Sequence, residues 1–480
     1  MRAGPMTGEI TISLWLFVVL VAVAVIAVLD RVLIPSSRWF LRRRINRVIE
    51  EIGTRLDIEI RPFQLTKRQV LVDRLVYDPA VIRAVRQYAR EHDMPLEVAQ
   101  NKVAVYAREI VPSFNAYVYF RIGYWIAKRI ARMLYKVRVG LLPEEQYRGI
   151  DPSSTVVFVM NHRSNMDYIL VAFLAAERTT LSYAVGEWAK IWPLHMLFRF
   201  MGAFFVRRNS GNSLYRRTLE RYIHMATREG VCQAVFLEGG LSRDGRLREP
   251  KLGLMDYMLR RFNPERDRDI VLIPVGINYD RTIEDRSLLR SLDPETTRRS
   301  LWFVCKTTTG FILRNFFLMI LSRWRRYGYA CVNFGTPLSI KTYCRETGTQ
   351  FSRLDRQKRF PEIALLCRRL MDDIALVIPV LPVSLVSAVF LDAPDAELDL
   401  ETIERQADRL IDELQKNGAP VLETPRSTRM VAIADAVDLM RLRGLLFEDD
   451  DRFKAAAHEH PLLKYYANAI SHWLPDRQWP

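Results

Sequence analysis

The pattern of apolar and polar residues changes in the middle of the chain. Between Ser154 and Pro337, short β-branched or aromatic runs alternate with longer amphipathic stretches. The short runs are TVVFVM (155–160), LSYAV (181–185), AFFV (203–206), QAVFLE (233–238), IVLIPVGI (270–277) and YACVNF (329–334). Strands that alternate with helices indicate an α/β layer with a mostly parallel sheet. We therefore predict the α/β fold class, with the sheet domain at 141–345.

The residues on both sides of this domain follow a helical period. Val81, Ile82 and Val85 recur at helical spacing before it, and the chain after Phe351 has helical patterns again. We expect helical regions at 30–140 and 346–480.

Two segments of these flanking regions allow more than one interpretation. Residues 114–133 interleave aromatic and basic side chains, which suits a membrane interface or a helix packed on the core. Residues 374–391 are apolar, but Pro379 and Pro382 interrupt them. Because proline breaks or kinks a helix, we expect a buried helix or an interfacial segment there rather than a second membrane span.

The first apolar run, at 10–29, is twenty residues without a charge. As a helix it is about 30 Å long, which matches the hydrocarbon core of a bilayer. A cleavable signal peptide would have a shorter apolar run that ends in small residues. Here Asp30 and Arg31 end the run, and five more arginines follow by position 47. We expect a single transmembrane anchor, with the rest of the chain in the cytoplasm.

Composition narrows the possible classes of protein. The 480 residues are 49% hydrophobic and 26% charged, which is enough for an ordinary folded core. The net charge of +16 favours anionic partners, namely nucleic acid, anionic lipid or phosphorylated substrates. The five cysteines are scattered, so we expect neither a disulfide framework nor a metal site.

A candidate catalytic pair directly follows the run at 155–160. His162 and Asp167 would lie about 140° apart on one continuous helix. They can pair only if His162 precedes the helix and Asp167 lies in its first turn, with Ser164 as the N-cap. A carboxylate bonded to one imidazole nitrogen makes the other nitrogen a better base. The same spacing also fits a capping box without any catalytic role.

Two later strand ends carry residues that suit an anion. Arg207 and Arg208 follow the run at 203–206, where arginine forks can bind phosphate or form a solvated edge. The run at 233–238 ends in a glycine-containing turn that can direct backbone N–H groups at an anion or form an ordinary surface turn. The candidate residues in and after this turn are Glu238, Gly239, Gly240, Ser242, Arg243 and Lys251.

Taken in order, these blocks and the IPVG sequence at 273–276 resemble the four motifs of the glycerolipid acyltransferase superfamily. The first block has that superfamily's His-x4-Asp form. The details are most similar to the membrane-bound bacterial glycerol-3-phosphate acyltransferases and the related dihydroxyacetone-phosphate acyltransferases. The resemblance covers about residues 115–340, with a weaker one at KYYAN (464–468). Leu241 departs from it, because these enzymes usually carry arginine there; Arg243 or Arg246 could compensate.

The resemblance implies a membrane-bound glycerol-3-phosphate 1-O-acyltransferase of phospholipid biosynthesis, at the bacterial inner membrane. His162 would deprotonate the sn-1 hydroxyl while Asp167 orients the imidazole, and acyl-CoA or acyl carrier protein would supply the thioester. Arg207, Arg208 and Arg243 would hold the phosphate, Gly239 and Gly240 would offer backbone donors, and Glu238 would bind a glycerol hydroxyl or an arginine. No metal or cofactor is expected.

Other functions stay open from the sequence. Dihydroxyacetone phosphate or lysophosphatidate could be the acceptor in place of glycerol 3-phosphate. A basic scaffold that binds lipid or nucleic acid would explain the charge, but it would not explain the ordered motifs. We therefore expect small-molecule and lipid partners rather than nucleic acid.

Overall fold

The structure is a computed structural model. It describes residues 61–140, 144–175, 181–185, 194–207, 210–292, 326–421, 426–477 and 479. The predicted anchor at 10–29 lies outside these residues, as does the first part of the predicted region at 30–140.

An eight-stranded mixed sheet forms the centre of the described chain. Its strands are β1 (Lys136–Val139), β2 (Thr155–Met160), β3 (Ser182–Val185), β4 (Phe204–Phe205), β5 (Gln233–Phe236), β6 (Ile270–Tyr279), β7 (Tyr329–Phe334) and β8 (Leu338–Ser339). Their order is β1-β7-β6-β2-β5-β3-β4, and β8 pairs with β6. The pairs of β6 with β7 and β8 are antiparallel, and the other pairs are parallel. The predicted α/β class with a mostly parallel sheet is confirmed.

The parallel strands bring the predicted motifs to one edge of the sheet. β2 and β5 are neighbours, with Met160 opposite Phe236 at their carboxyl ends. On the far side of β5, β3 and β4 pair with Val185 opposite Phe205. Loops that follow parallel strands meet at the same edge, which is where open α/β sheets bind ligands. The loops after β2, β4 and β5 therefore form one site.

Helices cover both faces of this sheet. Those that precede residue 348 are α1 (Pro62–Leu65), α2 (Arg68–Val76), α3 (Pro79–Glu91), α4 (Leu96–Ile110), α5 (Tyr124–Leu134), α6 (Glu144–Arg148), α7 (Met166–Ala175), α8 (Leu194–Phe200), α9 (Ser213–Arg228), α10 (Gly253–Leu259), α11 (Asp285–Arg290) and α12 (Ile340–Thr347). A π-helical turn, Val118–Gly123, leads into α5.

Alternate residues of the strands face two different cores. Val157 and Leu272 pack with α2, α3, α4 and α9, whereas Met160 and Ile273 pack with α5 and α7 on the other face. Side chains of successive strand residues point to opposite faces, so a sheet covered on both faces has apolar residues at successive positions. This explains why β6 is buried along its whole length.

The C-terminal region contains both helices and a small sheet. Its helices are α13 (Arg356–Ala375), α14 (Pro382–Asp392), α15 (Leu400–Lys416), α16 (Arg426–Leu442) and α17 (His460–Ala467). Short 3₁₀ turns lie at Phe351–Arg353, Ala457–Glu459 and Ser471–Trp473. The strands β9 (Leu398–Asp399), β10 (Leu446–Asp449) and β11 (Arg452–Ala455) form an antiparallel sheet in the order β10-β11-β9.

The structure refines two predictions and resolves one alternative. The region at 346–480 is mostly helical, but it also contains these three short strands, which have too few residues for a clear alternating pattern. The main sheet begins at Lys136, before the predicted domain start at 141. The apolar stretch at 374–391 contains the end of α13 and most of α14, whose residues 382–391 are buried, with Pro382 in its first turn. Among the described helices, none combines the length and the hydropathy of a membrane span.

Candidate active site

The loops after β2 and β5 are joined by direct hydrogen bonds. The backbone N–H of Ser242 donates to the carbonyl oxygen of His162 at 2.9 Å. In the other direction, the backbone N–H of His162 donates to Oε1 of Glu238 at 2.8 Å. Asn161 fixes the start of the same loop to β6, because its side chain exchanges two hydrogen bonds with the backbone of Ile277. The candidate catalytic residue is thus held from both neighbouring strands.

His162 and Asp167 form the predicted pair. Nδ1 of His162 lies 2.9 Å from Oδ2 of Asp167, and both side chains are almost fully buried. Since a carboxylate only accepts, we assign the imidazole proton to Nδ1, which leaves a lone pair on Nε2. His162 precedes α7 and Asp167 lies in its first turn, as the spacing requires.

The capping-box interpretation is also correct, because the same carboxylate has both roles. Oδ2 of Asp167 accepts from the backbone N–H groups of Arg163 at 2.8 Å and Ser164 at 3.1 Å. Oγ of Ser164 accepts in turn from the N–H of Met166 at 3.1 Å. These bonds bend the chain so that His162 returns to the carboxylate five residues later. The cap is therefore what produces the pair.

Two residues that the sequence did not indicate complete this arrangement. Tyr279, at the end of β6, donates its hydroxyl proton to Oδ1 of Asp167 at 2.7 Å. Glu284 accepts from the hydroxyl of Ser164 at 2.7 Å and from the backbone N–H of Asn165 at 3.2 Å. Both lie more than a hundred residues from the first motif, so no local spacing in the sequence could have revealed them.

Aromatic rings hold the imidazole in one orientation. The ring of Phe236 stacks on His162 with centroids 4.0 Å apart, and Tyr168 meets it edge-on at 5.5 Å. Nε2 of His162 has no hydrogen-bond partner among the described residues. This buried nitrogen therefore keeps an unused acceptor position.

His162 lies in the wall of a cavity of about 850 Å³. One part of the lining is basic and consists of Arg207, Arg216, Arg243, Arg248 and Lys251. Another part is apolar and consists of Ala184, Val185, Val206, Leu219, Val235, Phe236, Leu241, Leu254 and Leu288. Among the described lining residues, Glu238 is the only acidic one. The cavity thus suits a ligand that has an anionic group and an apolar chain.

Glu238 supports the loops of the site through its two oxygens. Oε2 accepts from the backbone N–H of Arg248 at 3.2 Å, while Oε1 accepts from that of His162. Burial raises the pKa of Glu238 to about 7, although Arg163 and the two N–H groups oppose this shift. The predicted contact with a glycerol hydroxyl or an arginine stays a prediction; the observed bonds are to backbone groups.

The glycine turn offers fewer backbone donors than predicted. Gly239 has φ +65°, and a Cβ on it would lie 2.7 Å from Cγ of Lys251, so glycine is required there. Its N–H donates to the carbonyl oxygen of Phe236 at 3.0 Å, inside the turn. The prediction that Gly239 offers a donor to a ligand is therefore wrong. Gly240, which also lines the cavity, keeps that predicted role.

The predicted arginine pair has only one member in the described part of the chain. Nε and Nη2 of Arg207 lie 3.0 and 2.5 Å from the carboxylate oxygens of Glu109, and its guanidinium stacks on Tyr106 and Tyr215. Arg207 still borders the cavity, and two of its five guanidinium N–H donors are bonded to Glu109. Arg208 lies outside the described residues.

The remaining predicted residues divide into those at the cavity and one inside the loop. Arg243 and Lys251 are exposed and line the cavity. Ser242 is buried and does not line it, because its hydroxyl donates to the carbonyl oxygen of Arg246 at 2.7 Å. Arg216 and Arg248 line the cavity as well, although no spacing in the sequence had indicated them.

Known proteins and family models match large parts of the chain. The family described as "Acyltransferase" matches residues 143–278, and "Glycerol-3-phosphate acyltransferase C-terminal region" matches residues 314–477. The chain is 25% identical to a glycerol-3-phosphate acyltransferase of Actinobacillus succinogenes, over 86% of this chain and 50% of that protein. It is 29% identical to one of Pseudomonas entomophila, over 72% of this chain and 41% of that protein.

By these matches the chain is similar to the glycerol-3-phosphate acyltransferase family. It spans about half the length of the curated relatives it matches. Among solved structures it is similar to a 1-acyl-sn-glycerophosphate acyltransferase from Thermotoga maritima, at 14% identity and a TM-score of 0.30, over 64% of this chain and 97% of that one. The family resemblance inferred from the motifs is thus confirmed.

The region matched to the C-terminal part of the glycerol-3-phosphate acyltransferase family contacts the active-site loop. Asn468, just after α17, donates to the carbonyl oxygen of Asp244 at 2.8 Å and accepts from Nε of Arg246 at 3.3 Å. Gly245 has φ +88°, and a Cβ on it would lie 1.9 Å from the carbonyl oxygen of Tyr465. Arg246 is thereby held by Asn468 and is absent from the cavity lining, so it does not replace the arginine missing at Leu241.

Proposed function

We propose that this protein transfers a fatty acyl group from a thioester to the sn-1 hydroxyl of glycerol 3-phosphate. One observation carries the proposal. A buried carboxylate orients the imidazole of His162, whose Nε2 has no hydrogen-bond partner among the described residues, and His162 lines a cavity that is basic in one part and apolar in another. Acyl transfer to a phosphorylated alcohol needs a base, an anion site and an acyl site, and the cavity has residues for all three.

The proton transfers of the reaction can be assigned to His162 and Asp167. Nε2 of His162 takes the proton of the sn-1 hydroxyl as the oxygen attacks the thioester carbonyl. The tetrahedral intermediate collapses, the C–S bond breaks, and the imidazolium returns the proton to the departing thiolate. Asp167 stays ionised and stabilises the imidazolium through Nδ1. General-base action of this kind contributes about 10²–10⁴ in rate.

The basic and the apolar parts of the cavity wall suit different groups of the substrates. Among the cations that line the cavity, Arg243, Arg248 and Lys251 are the closest in sequence to the glycine turn, and we assign the phosphate of glycerol 3-phosphate to them. The N–H of Gly240 supplies one further donor to that phosphate. The apolar residues of the lining receive the first part of the acyl chain, beside the imidazole. Arg207 and Arg208 stay candidates for the same phosphate.

The proposal is tested by the release of free thiol from palmitoyl-CoA with three acceptors. We expect the purified protein to prefer glycerol 3-phosphate to dihydroxyacetone phosphate and to lysophosphatidate. Product analysis should give the 1-acyl ester. A matched variant, Arg345→Gln, removes an exposed arginine of α12 and should behave as the wild type does. A clear preference for lysophosphatidate would overturn the choice of acceptor, and no acceptor-dependent thiol release would overturn the activity.

We further propose that residues 10–29 anchor the protein in the bacterial inner membrane, with the catalytic part in the cytoplasm. The charge-free run followed by arginines supports this topology, and an apolar acyl chain is a reason to work at a bilayer. Deletion of residues 1–30 should move the protein from the membrane fraction to the supernatant. Retention in the membrane fraction after this deletion would contradict the anchor.

A further inference from the structure

A second cavity, of about 820 Å³, lies beside the active-site cavity. The two cavities share Arg216, Gly253 and Tyr257 in their walls. The second one is lined by α3, α9, α10, the residues just after α10 and the first turn of α13. Seven arginines line it, namely Arg83, Arg216, Arg217, Arg260, Arg261, Arg356 and Arg359. Nothing in the proposed chemistry at His162 accounts for this group of cations.

The carboxylates in this wall are too few to balance the arginines. Three line the cavity, and two of them, Glu220 and Asp256, are buried. Glu220 pairs with Arg217 at 2.5 Å and with Arg260 at 2.7 Å. Asp256 pairs with Arg260, and with Arg359 at 2.8 Å. The buried carboxylates are therefore already occupied by the arginines nearest to them.

Of the other four arginines, three form no ion pair in the described part of the chain and the fourth forms a long one. For Arg83, Arg216 and Arg356 the structure shows no ion pair, and all three are exposed to the cavity or its rim. Nε of Arg261 is 4.0 Å from Glu220, and burial together with neighbouring arginines lowers the pKa of Arg261. Cations held this close repel one another unless an anion neutralises them. A ligand with several negative charges would supply that anion.

We propose that this cavity binds the adenosine 3′-phosphate and pyrophosphate moieties of an acyl-CoA donor. This proposal rests on the acyltransfer function proposed above. Arginine forks match phosphate oxygens in a bidentate way, and coenzyme A carries three phosphate groups. From the nucleotide, the pantetheine arm would pass the shared residues Arg216 and Tyr257 and bring the thioester to His162.

The shape of the site favours a nucleotide over a carrier protein. A volume of about 820 Å³ lies within the usual range of small-molecule sites, which is about 300–1,000 Å³. A folded carrier protein would instead need an open contact surface of about 800 Å² on each partner. Tyr257 and Phe360 also line the wall, and the guanidinium groups of Arg260 and Arg356 lie over their rings.

The test is the double variant Arg83→Gln/Arg356→Gln, because neither residue lines the active-site cavity. We expect the KM for palmitoyl-CoA to rise at least tenfold. The KM for glycerol 3-phosphate should not change, nor should turnover of S-palmitoyl-N-acetylcysteamine, which has the thioester but no nucleotide. Arg409→Gln, at an exposed arginine of α15, is the matched control and should leave every constant unchanged.

A binding measurement separates this proposal from the proposed function. Adenosine 3′,5′-bisphosphate should bind the full-length wild type in a calorimetric titration, and the double variant should bind it at least tenfold more weakly. If the wild type binds it in this way but transfers no acyl group, the function fails and the nucleotide site stands. An unchanged KM for palmitoyl-CoA in the double variant would overturn the proposal. The proposal would also be overturned if the KM of the double variant rose only with acylated acyl carrier protein as the donor.

Discussion

At the scale of single residues, Asp167 has the largest number of separate tasks. It accepts hydrogen bonds from the imidazole of His162, from the hydroxyl of Tyr279 and from two backbone N–H groups of the loop. The sequence left a choice between a catalytic carboxylate and a structural cap. The structure shows that one buried carboxylate forms both sets of contacts, so the two roles have to be separated by experiment.

Asp167→Asn separates these roles, because it removes the charge but keeps an acceptor oxygen. The amide oxygen can still accept from the loop and from Nδ1, while the amide nitrogen can donate to Tyr279. We expect the turnover number to fall by about 10²–10⁴, and the free energy of unfolding to fall by about 1–2 kcal/mol or less.

Tyr279→Phe is the matched control for this variant. It removes one hydrogen bond to Asp167 but keeps the charge, so it should cost about 1 kcal/mol of stability and less than a tenfold change in rate. Steady-state kinetics and urea unfolding measure both quantities. If Asp167→Asn and Tyr279→Phe lowered the rate equally, the charge of Asp167 would have no special role.

Glu238 gives the stability of the protein a pH dependence of predictable sign. Burial raises its pKa to about 7, so between pH 4.5 and pH 7 the folded protein binds a proton that the unfolded chain releases. The contribution of Glu238 to the free energy of unfolding is therefore fully present below about pH 4.5 and is lost as the pH rises to about 7. Relative to Glu238→Gln, the wild type should lose up to about 3 kcal/mol of stability across this window.

Unfolding by urea at several pH values measures this difference. The exposed neighbour Glu249 supplies the control, because Glu249→Gln should follow the wild-type curve throughout. A wild type that gains stability relative to Glu238→Gln between pH 4.5 and pH 7 would show that the folded protein favours the charged carboxylate.

At the scale of elements, the strands that could be predicted are those with long apolar runs. The bounds expected for β2 and β7 agree with the structure, and β6 extends only two residues beyond its predicted end. β1 and β9 escaped prediction for different reasons. β1 alternates valine with basic residues at an exposed edge, and β9 has only two residues. Pairing with distant strands, rather than local pattern, makes both of them strands.

The contact between α17 and the active-site loop is another long-range feature. The KYYAN sequence suggested a family resemblance, but nothing in it indicates which loop it contacts. In the structure, the side chain of Asn468 bonds both Asp244 and Arg246, which lie more than two hundred residues earlier in the chain. The loop also carries Arg243, which directly precedes Asp244.

Asn468→Ala should therefore weaken catalysis more than it weakens the fold. We expect the KM for glycerol 3-phosphate to rise about three- to tenfold, because the loss of one or two hydrogen bonds of about 1 kcal/mol each lets the loop move. Asn417→Ala is the matched control, since it removes one side-chain bond to Trp473 far from the loop. If both variants showed the same small loss of activity, α17 would have only a general structural role.

At the scale of the whole molecule, the site combines parts of the chain that are far apart in sequence. The N-terminal helices supply Glu109 against Arg207, the loop after β2 and the start of α7 supply His162 and Asp167, and the C-terminal region holds the loop after β5. The motifs could be read from the sequence because each is local. The partners that hold them, such as Tyr279, Glu284 and Asn468, could not be read, because only folding brings them together.

The central claim is that Nε2 of His162 acts as the base in acyl transfer to glycerol 3-phosphate. Its most direct test is glycerol 3-phosphate-dependent thiol release by His162→Ala, with the unfolding curve measured on the same preparation. We expect the turnover number to fall by about 10²–10⁴ or more while the variant remains folded. A folded variant that retains more than a tenth of the wild-type turnover would contradict the claim.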